Sequence, residues 1–352
     1  MGMRALLAGS AVLMAGVVAC SSAGAAKASP HASGANRVTQ VATSPAATAK
    51  ASTAGSATLA TVTEGLCTAP AARRALAAQL SADILKGLRG RGGVHAVSVY
   101  DRVTGVYCLY NGSAHFDSAS IVKAIIMAAL LRWHQETNTP LSSWEESEAT
   151  LMITQSDNDA ATALWDELGM DNLQHFLNLA GMGETQLGQD GDWGLTQVTA
   201  HDEMLLLELL TAPNPILDAS SRSYQLGLMA QVTNWEAWGV TAGTPTGVSW
   251  HVKNGWLPDA TGWHINSIGT FSGPGKNYMI AVLSDNTNMN DDEQYGINTI
   301  EDVARLVQAD LNNAKLTGSS TAAARLAAAP NAAPSPASSW AVVPALPTPS
   351  QG

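Results

Sequence analysis

Positive charge is scarce in this chain. Lysine and arginine number 18 against 29 acidic residues, a net charge of −11, and no basic cluster stands out. That balance argues against nucleic acid or an anionic lipid surface as a partner. The eight histidines are scattered without metal-ligand spacing, so no metal and no cofactor is expected. No G-x-S-x-G motif occurs, which argues against an α/β-hydrolase site. Internal repeats are lacking, so a solenoid or propeller is not indicated. Cysteine is confined to Cys20, Cys67 and Cys108.

The two ends lack what a folded core needs. Residues 1–20, MGMRALLAGSAVLMAGVVAC, carry one charge, Arg4, and then an apolar stretch ending in small residues. This pattern predicts a secretory signal, too short and too glycine-rich for a good membrane-spanning helix. VVAC fits a bacterial lipobox, in which Cys20 is lipidated after cleavage; the alternative is ordinary cleavage beside an incidental cysteine. The expected location is therefore outside the cell, anchored to the outer face of the membrane through Cys20, with no other membrane contact. Residues 21–62 are mostly Ala, Ser, Thr and Gly and read as a flexible tether. Residues 318–352 form a Pro/Ala-rich tail of similar kind. One folded domain is expected over 63–317, acting as a monomer. With Cys20 lipidated, Cys67 and Cys108 either pair or remain buried thiols. Pairing would contribute about 4 kcal/mol in the chain-entropy model.

Within the domain, residues 69–90 have helical periodicity and end in glycine. HAVSVYD and VYCLYN, joined by RVTG, predict a β-hairpin over 95–111. The pattern is helical from 118 to about 240, broken at GDWG (191–194) and TAPNP (211–215). GVSWHVKNGW, WHINSIGTF and NYMIAVLSD then read as strands, and INTIEDVARLVQADLNN (297–313) as a closing helix. Strands at both ends of the domain with helices between them predict an α+β fold. Its sheet is antiparallel and five-stranded, flanked by the terminal helices, with an inserted all-α subdomain docked against it. A cleft is expected where the layers meet.

One charge is out of place. In FDSASIVKAIIMAALL (116–131), Lys123 interrupts apolar positions that go right round a helix, the pattern of an element buried on all sides. An unpaired buried ammonium is costly, so Lys123 must be paired, neutral, or both. Ser120 lies three residues earlier, on the same helical face, near the positive end of the helix dipole. A lysine neutralised by burial, by that dipole and by a second cation is a base for the serine hydroxyl. Ser156-Asp157-Asn158 interrupts two helical runs. Its serine is suited to relaying a proton and its amide to binding a carbonyl and Lys123, while the plain alternative is a helix cap. Lys253-Asn254-Gly255 lies on a predicted strand, where the glycine would let a substrate backbone approach; the alternative is an ordinary exposed strand lysine.

Taken in order, these motifs resemble the serine penicillin-recognising enzyme superfamily, and within it class A β-lactamase-like serine hydrolases of bacterial lipoprotein type. S-x-x-K is matched by Ser120 and Lys123, S-D-N by Ser156 to Asn158, and K-T-G approximately by Lys253 to Gly255. The resemblance covers roughly residues 65–315. It implies acylation of Ser120 by a β-lactam or an acyl-D-alanyl peptide, with Lys123 as base and Ser156 passing a proton to the leaving nitrogen. It implies that Lys253 acts on Ser156 and on an anionic substrate group, and that Asn158, Asn254, Gly255 and Trp256 line the substrate site. The oxyanion would rest between the backbone N–H groups of Ser120 and Trp256.

The chain departs from that pattern in several places. The nearest match to the family's deacylating E-x-x-L-N is ETQLG, which offers Glu184 as the deacylating base or, alternatively, as an exposed loop residue. Asn254 replaces the usual hydroxyl of the third motif, and no arginine occurs between Arg222 and Arg305. His251 shares a strand face with Lys253 and is expected to be a packed or exposed strand histidine. Trp235, Trp238, Trp250, Trp256 and Trp263 cluster in sequence near the sheet; packing accounts for most of them, and a peptide or sugar platform for one or two at most. The rival readings are a D,D-peptidase or other amidase or esterase with slow deacylation, and a non-catalytic envelope-binding module on the same fold.

Overall fold

The computed structural model describes residues 61–259, 262–286 and 292–313. The expected signal, Cys20, most of the tether and the tail lie outside the described residues.

Chain order explains the layering. Strand β1 (Thr61–Glu64) opens inside the stretch read as tether and turns into β2 (Cys67–Pro70), and helix α1 (Arg74–Gly87) follows. The predicted hairpin is β3 (Val94–Asp101) and β4 (Val106–Tyr110). The helical block contains α2 (Val122–Thr137), α3 (Ser143–Thr154), α4 (Asn158–Ala180), α5 (Ala200–Thr211) and α6 (Ala219–Met229). A small two-stranded ribbon, β5 (Phe116–Asp117) with β6 (Gln197–Val198), ties the start of α2 to the start of α5. Strands β7 (Ser249–Pro258), β8 (Trp263–Gly273) and β9 (Lys276–Asp285) then lead into α7 (Glu293–Asn313).

The main sheet has seven strands in the order β1-β2-β4-β3-β9-β8-β7, all paired antiparallel, where five were expected. The five expected strands are its centre and one edge, and β1 and β2 extend the other edge. These two are four residues each, too short to show periodicity, and a covalent link holds them. Cys67 lies directly opposite Cys108 and is disulfide-bonded to it, which settles the choice between pair and free thiols.

Both faces of the sheet are covered, which is why its strands read as unbroken apolar runs. On β9, Met279, Ala281 and Leu283 face the helical block, while Tyr278, Ile280 and Val282 face the layer containing α1 and α7. Helix α2 is the centre of the block: every residue from Val122 to Leu131 is buried. Edge strand β7 runs past its first turn, and the chemistry gathers there.

Candidate active site

Ser120 sits in a single 3-10 turn, Ala119–Ile121, immediately before α2. Ala119 has φ +47°, a left-handed conformation that a β-carbon disfavours, so surrounding contacts must hold it. Several do. Asn266, buried on β8, donates through Nδ2 to the carbonyls of Asp117 (2.8 Å) and Ser118 (3.0 Å). Ser118 N–H donates to Thr196 O at 2.8 Å. Gly255 supplies the remaining wall. A β-carbon there would lie 2.6 Å from Ser120 N, 2.8 Å from Ile121 N and 2.9 Å from Ser118 O. The glycine thus admits the protein's own nucleophile turn; it was expected to admit substrate backbone.

Lys123, the second residue of α2, has no exposed surface, and its Nζ donates to three oxygens. These are Ser156 O (2.6 Å), Asn158 Oδ1 (2.7 Å) and Ser156 Oγ (3.3 Å). Its Nζ also lies 4.8 Å from the centre of the Trp193 ring. Burial, then the charge of Lys253, lower its pKa to about 7, against the pull of Glu236 and Asp157. The amine is therefore poised to lose its proton near neutral pH; its three partners are neutral oxygens, and Ser120 Oγ is not among them.

The S-D-N segment combines cap and site. Asp157 is the N-cap of α4, its carboxylate accepting from Ala160 N at 2.8 Å. Capping leaves Ser156 and Asn158 free to face Lys123. Ser156 is itself left-handed, with φ +55°, and its hydroxyl lies between two amines. Lys253 Nζ donates to Ser156 Oγ at 2.8 Å and to Asn254 O at 2.8 Å. Lys253 is also fully buried, and burial lowers its pKa to about 8, opposed by Glu236.

Strand alternation sorts the third motif into two faces. Lys253 and Gly255 face the nucleophile; Asn254 and Trp256 do not. Asn254 was expected to line the substrate site, but its Nδ2 donates to Glu236 O (2.6 Å) and Trp238 O (3.1 Å). Trp256 packs on the α1/α7 side with Trp238, Trp250 and Trp263, so its bulk does not crowd Ser120, and only its backbone belongs to the edge. Trp235 is the exception among the tryptophans, 57% exposed and edge-on to Trp256. His251 takes the role expected of it, with Nδ1 3.0 Å from Thr270 Oγ1.

Glu184 is not part of this cluster. Its carboxylate accepts from Thr199 Oγ1 (3.2 Å) and lies 3.9 Å from His201 Nδ1, at the start of α5. The chain closes early after it, through backbone bonds between Gln186 and Gln197, and the short loop brings Trp193 over Lys123 instead. Among the described residues, Glu184, His201 and Asp202 alone bring three metal-ligand atoms within 4.8 Å of one another. Asp202 Oδ2 already accepts from Glu184 N and Thr185 Oγ1, so these residues serve the helix start.

Glu236 had no sequence signal. It lies in a short turn before β7, with 1% of its surface exposed, and its Oε2 is 3.8 Å from Lys253 Nζ. Its carboxylate also lies beside the Ser156 hydroxyl. Burial raises its pKa, and the charges of Lys253 and Lys123 and the Ser156 hydroxyl oppose the rise.

The arrangement of sheet and inserted helices is the fold of class A β-lactamases. Three solved members illustrate it. A mutant β-lactamase of the last common ancestor of Gram-negative bacteria is 22% identical, with a TM-score of 0.58, over 67% of this chain and 100% of its own. The β-lactamase of Sphaerobacter thermophilus is 18% identical, with a TM-score of 0.56, over 67% of this chain and 97% of its own. That of Xanthomonas campestris pv. campestris is 18% identical, with a TM-score of 0.57, over 68% of this chain and 98% of its own. No curated protein matches the chain. Residues 146–311 match the model of the β-lactamase enzyme family. The family match covers a little under half of the chain, and the solved structures share its fold.

Proposed function

We propose that the protein forms an acyl-enzyme at Ser120 on the amide carbonyl of a β-lactam or acyl-D-alanyl peptide, and releases the product slowly. Lys123 Nζ accepts the Ser120 proton as Oγ attacks. Collapse of the tetrahedral adduct breaks the C–N bond, and Ser156 Oγ gives its proton to the leaving nitrogen. Lys123, now an ammonium hydrogen-bonded to Ser156, returns a proton to that hydroxyl. Lys253, 2.8 Å from the same hydroxyl, favours its acting as a donor and then holds the transient charge. The observation that carries this reading is the state of Lys123: wholly buried, bonded only to neutral oxygens, and lowered to about 7, one turn beyond a serine.

Slow release rests on a different observation. Where a general base would activate water beside Lys123, the described residues present the Trp193 face, and the Glu184 carboxylate is engaged at α5. A missing general base costs about 10²–10⁴ in rate. This favours penicillin-binding or D,D-peptidase behaviour over fast β-lactam turnover. Export and attachment through Cys20 complete the proposal, on the strength of the N-terminal pattern alone.

Intact mass measured over time with a fluorescent penicillin tests this. A one-to-one adduct that persists for many minutes and is lost in Ser120→Ala is expected, with slow turnover of a chromogenic cephalosporin. Folded protein that neither forms an adduct nor hydrolyses the cephalosporin removes the proposal.

A further inference from the structure

The cation that should greet an anionic substrate is already occupied. An ammonium has three donors. Those of Lys253 are directed to Ser156 Oγ, Asn254 O and, at longer range, Glu236 Oε2, and none of its surface is exposed. Asn254, in place of the hydroxyl residue, turns its amide away to fasten the turn that carries Glu236. The nearest arginines in sequence are committed elsewhere: Arg222 donates to Leu217 O and Arg305 pairs with Glu301 at 2.6 Å. The charged groups around the two site serines are thus Lys123, Lys253, Asp157 and Glu236. Asp157 is taken by its cap. Glu236 is buried beside the Ser156 hydroxyl, with its Oε2 3.8 Å from Lys253 Nζ.

The geometry points to Glu236 as an internal counter-anion that takes the electrostatic place of a substrate carboxylate, so that the site selects acyl donors uncharged beside the scissile amide. The inference rests on acyl-enzyme formation at Ser120 and ranks its acyl donors: neutral lactams, amides or esters react ahead of carboxylate-bearing penicillins and acyl-D-alanyl peptides, which still acylate but more slowly. A second carboxylate brought to Lys253 would meet Glu236 in a desolvated space, where like charges repel strongly. A neutral group meets no such opposition.

The test compares one penicillin as its free acid and as its methyl ester. Second-order rates of Ser120 acylation are read by intact mass, each divided by the same compound's rate of alkaline hydrolysis to remove intrinsic reactivity. The wild-type protein should favour the ester by on the order of tenfold or more. Glu236→Gln, which keeps the shape and removes the charge, should shift the ratio at least tenfold toward the acid, and Glu236→Asp should leave the ester preferred. A wild-type preference for the free acid overturns the inference while leaving acylation intact, and needs no variant to fold. An unchanged ratio in folded Glu236→Gln overturns it too. No adduct with either form removes acylation at Ser120 and this inference with it.

Discussion

Replacing Gly255 by alanine adds one methyl group where the structure has no room. The new carbon would stand 2.6 Å from Ser120 N, whereas ordinary van der Waals contact begins at 3.4 Å, so one side must retreat by roughly 0.8 Å. Two further backbone atoms, Ile121 N and Ser118 O, lie within 2.9 Å, so the obstacle is main chain and cannot rotate aside. The obstruction is steric. On one side β7 is locked to β8 through ten paired positions; on the other, the 118–121 turn hangs from Asn266 and Thr196. The turn has the fewer anchors and should move.

Overpacking of this kind costs about 1–3 kcal/mol. Displacing a nucleophile by close to 1 Å costs up to about 10²-fold in rate, so acylation of Gly255→Ala should fall roughly 10- to 100-fold. Urea unfolding and the rate of adduct formation by intact mass measure the two effects. Gly227→Ala is the control, since on α6 its methyl meets nothing within 4 Å, and it should gain up to about 1 kcal/mol in helix propensity. Acylation within threefold of wild type in Gly255→Ala, at unchanged stability, would refute the claim that this contact places Ser120.

Two other predictions follow from buried ionisable groups. Acylation needs Lys123 neutral and Lys253 charged, so its rate should rise as pH passes about 7 and fall beyond about 8, the pair titrating as a coupled unit. A stopped-flow profile that is flat from about pH 6 to 9 would contradict the assignment, and Lys123→Met should lose about 10²–10⁴ in rate. Glu203 on α5 is wholly buried with neither oxygen partnered, and burial, then Asp202, hold its pKa well above the ordinary range. The folded state keeps a proton that the unfolded chain loses above about pH 4.5, so this residue makes stability fall as pH rises past that point. Glu203→Met should therefore gain about 1–3 kcal/mol at pH 7.5 and little at pH 4.5, measured by urea unfolding; an equal loss at both pH values would mean that the carboxyl has a supporting role.

What the sequence disclosed follows from how local each signal is. Lys123 stood out because the eight residues after it, Ala124 to Leu131, are all apolar and offer it no solvated face, and that context is what burial requires. The hairpin and the three late strands were visible because each is long enough to show its apolar run. Strands β1 and β2 were not, since four residues rich in threonine carry no period, and it is the Cys67–Cys108 bond that secures them to the sheet. Glu184 was a reasonable candidate on spacing, but spacing does not show where a loop closes. The Gln186–Gln197 bonds close it early and leave the carboxylate outside.

The residues that escaped sequence reading share a physical trait: each acts on the site from a segment with no periodicity of its own. Trp193 sits in a four-residue breaker and Glu236 in a single 3-10 turn, and both reach the lysines only through tertiary contact. Asn254 shows the same limit on a strand. A substitution in the third motif looked like a weakened substrate contact, yet the side chain holds the Glu236 turn in place. Position and partner thus changed together, since an asparagine reaching backward is what keeps a glutamate beside the lysine. Asn254→Thr, which restores the hydroxyl, should therefore loosen Glu236 rather than simply improve binding. The changes in sequence at the third motif and in the turn before it act as one rearrangement of the charge around Ser156.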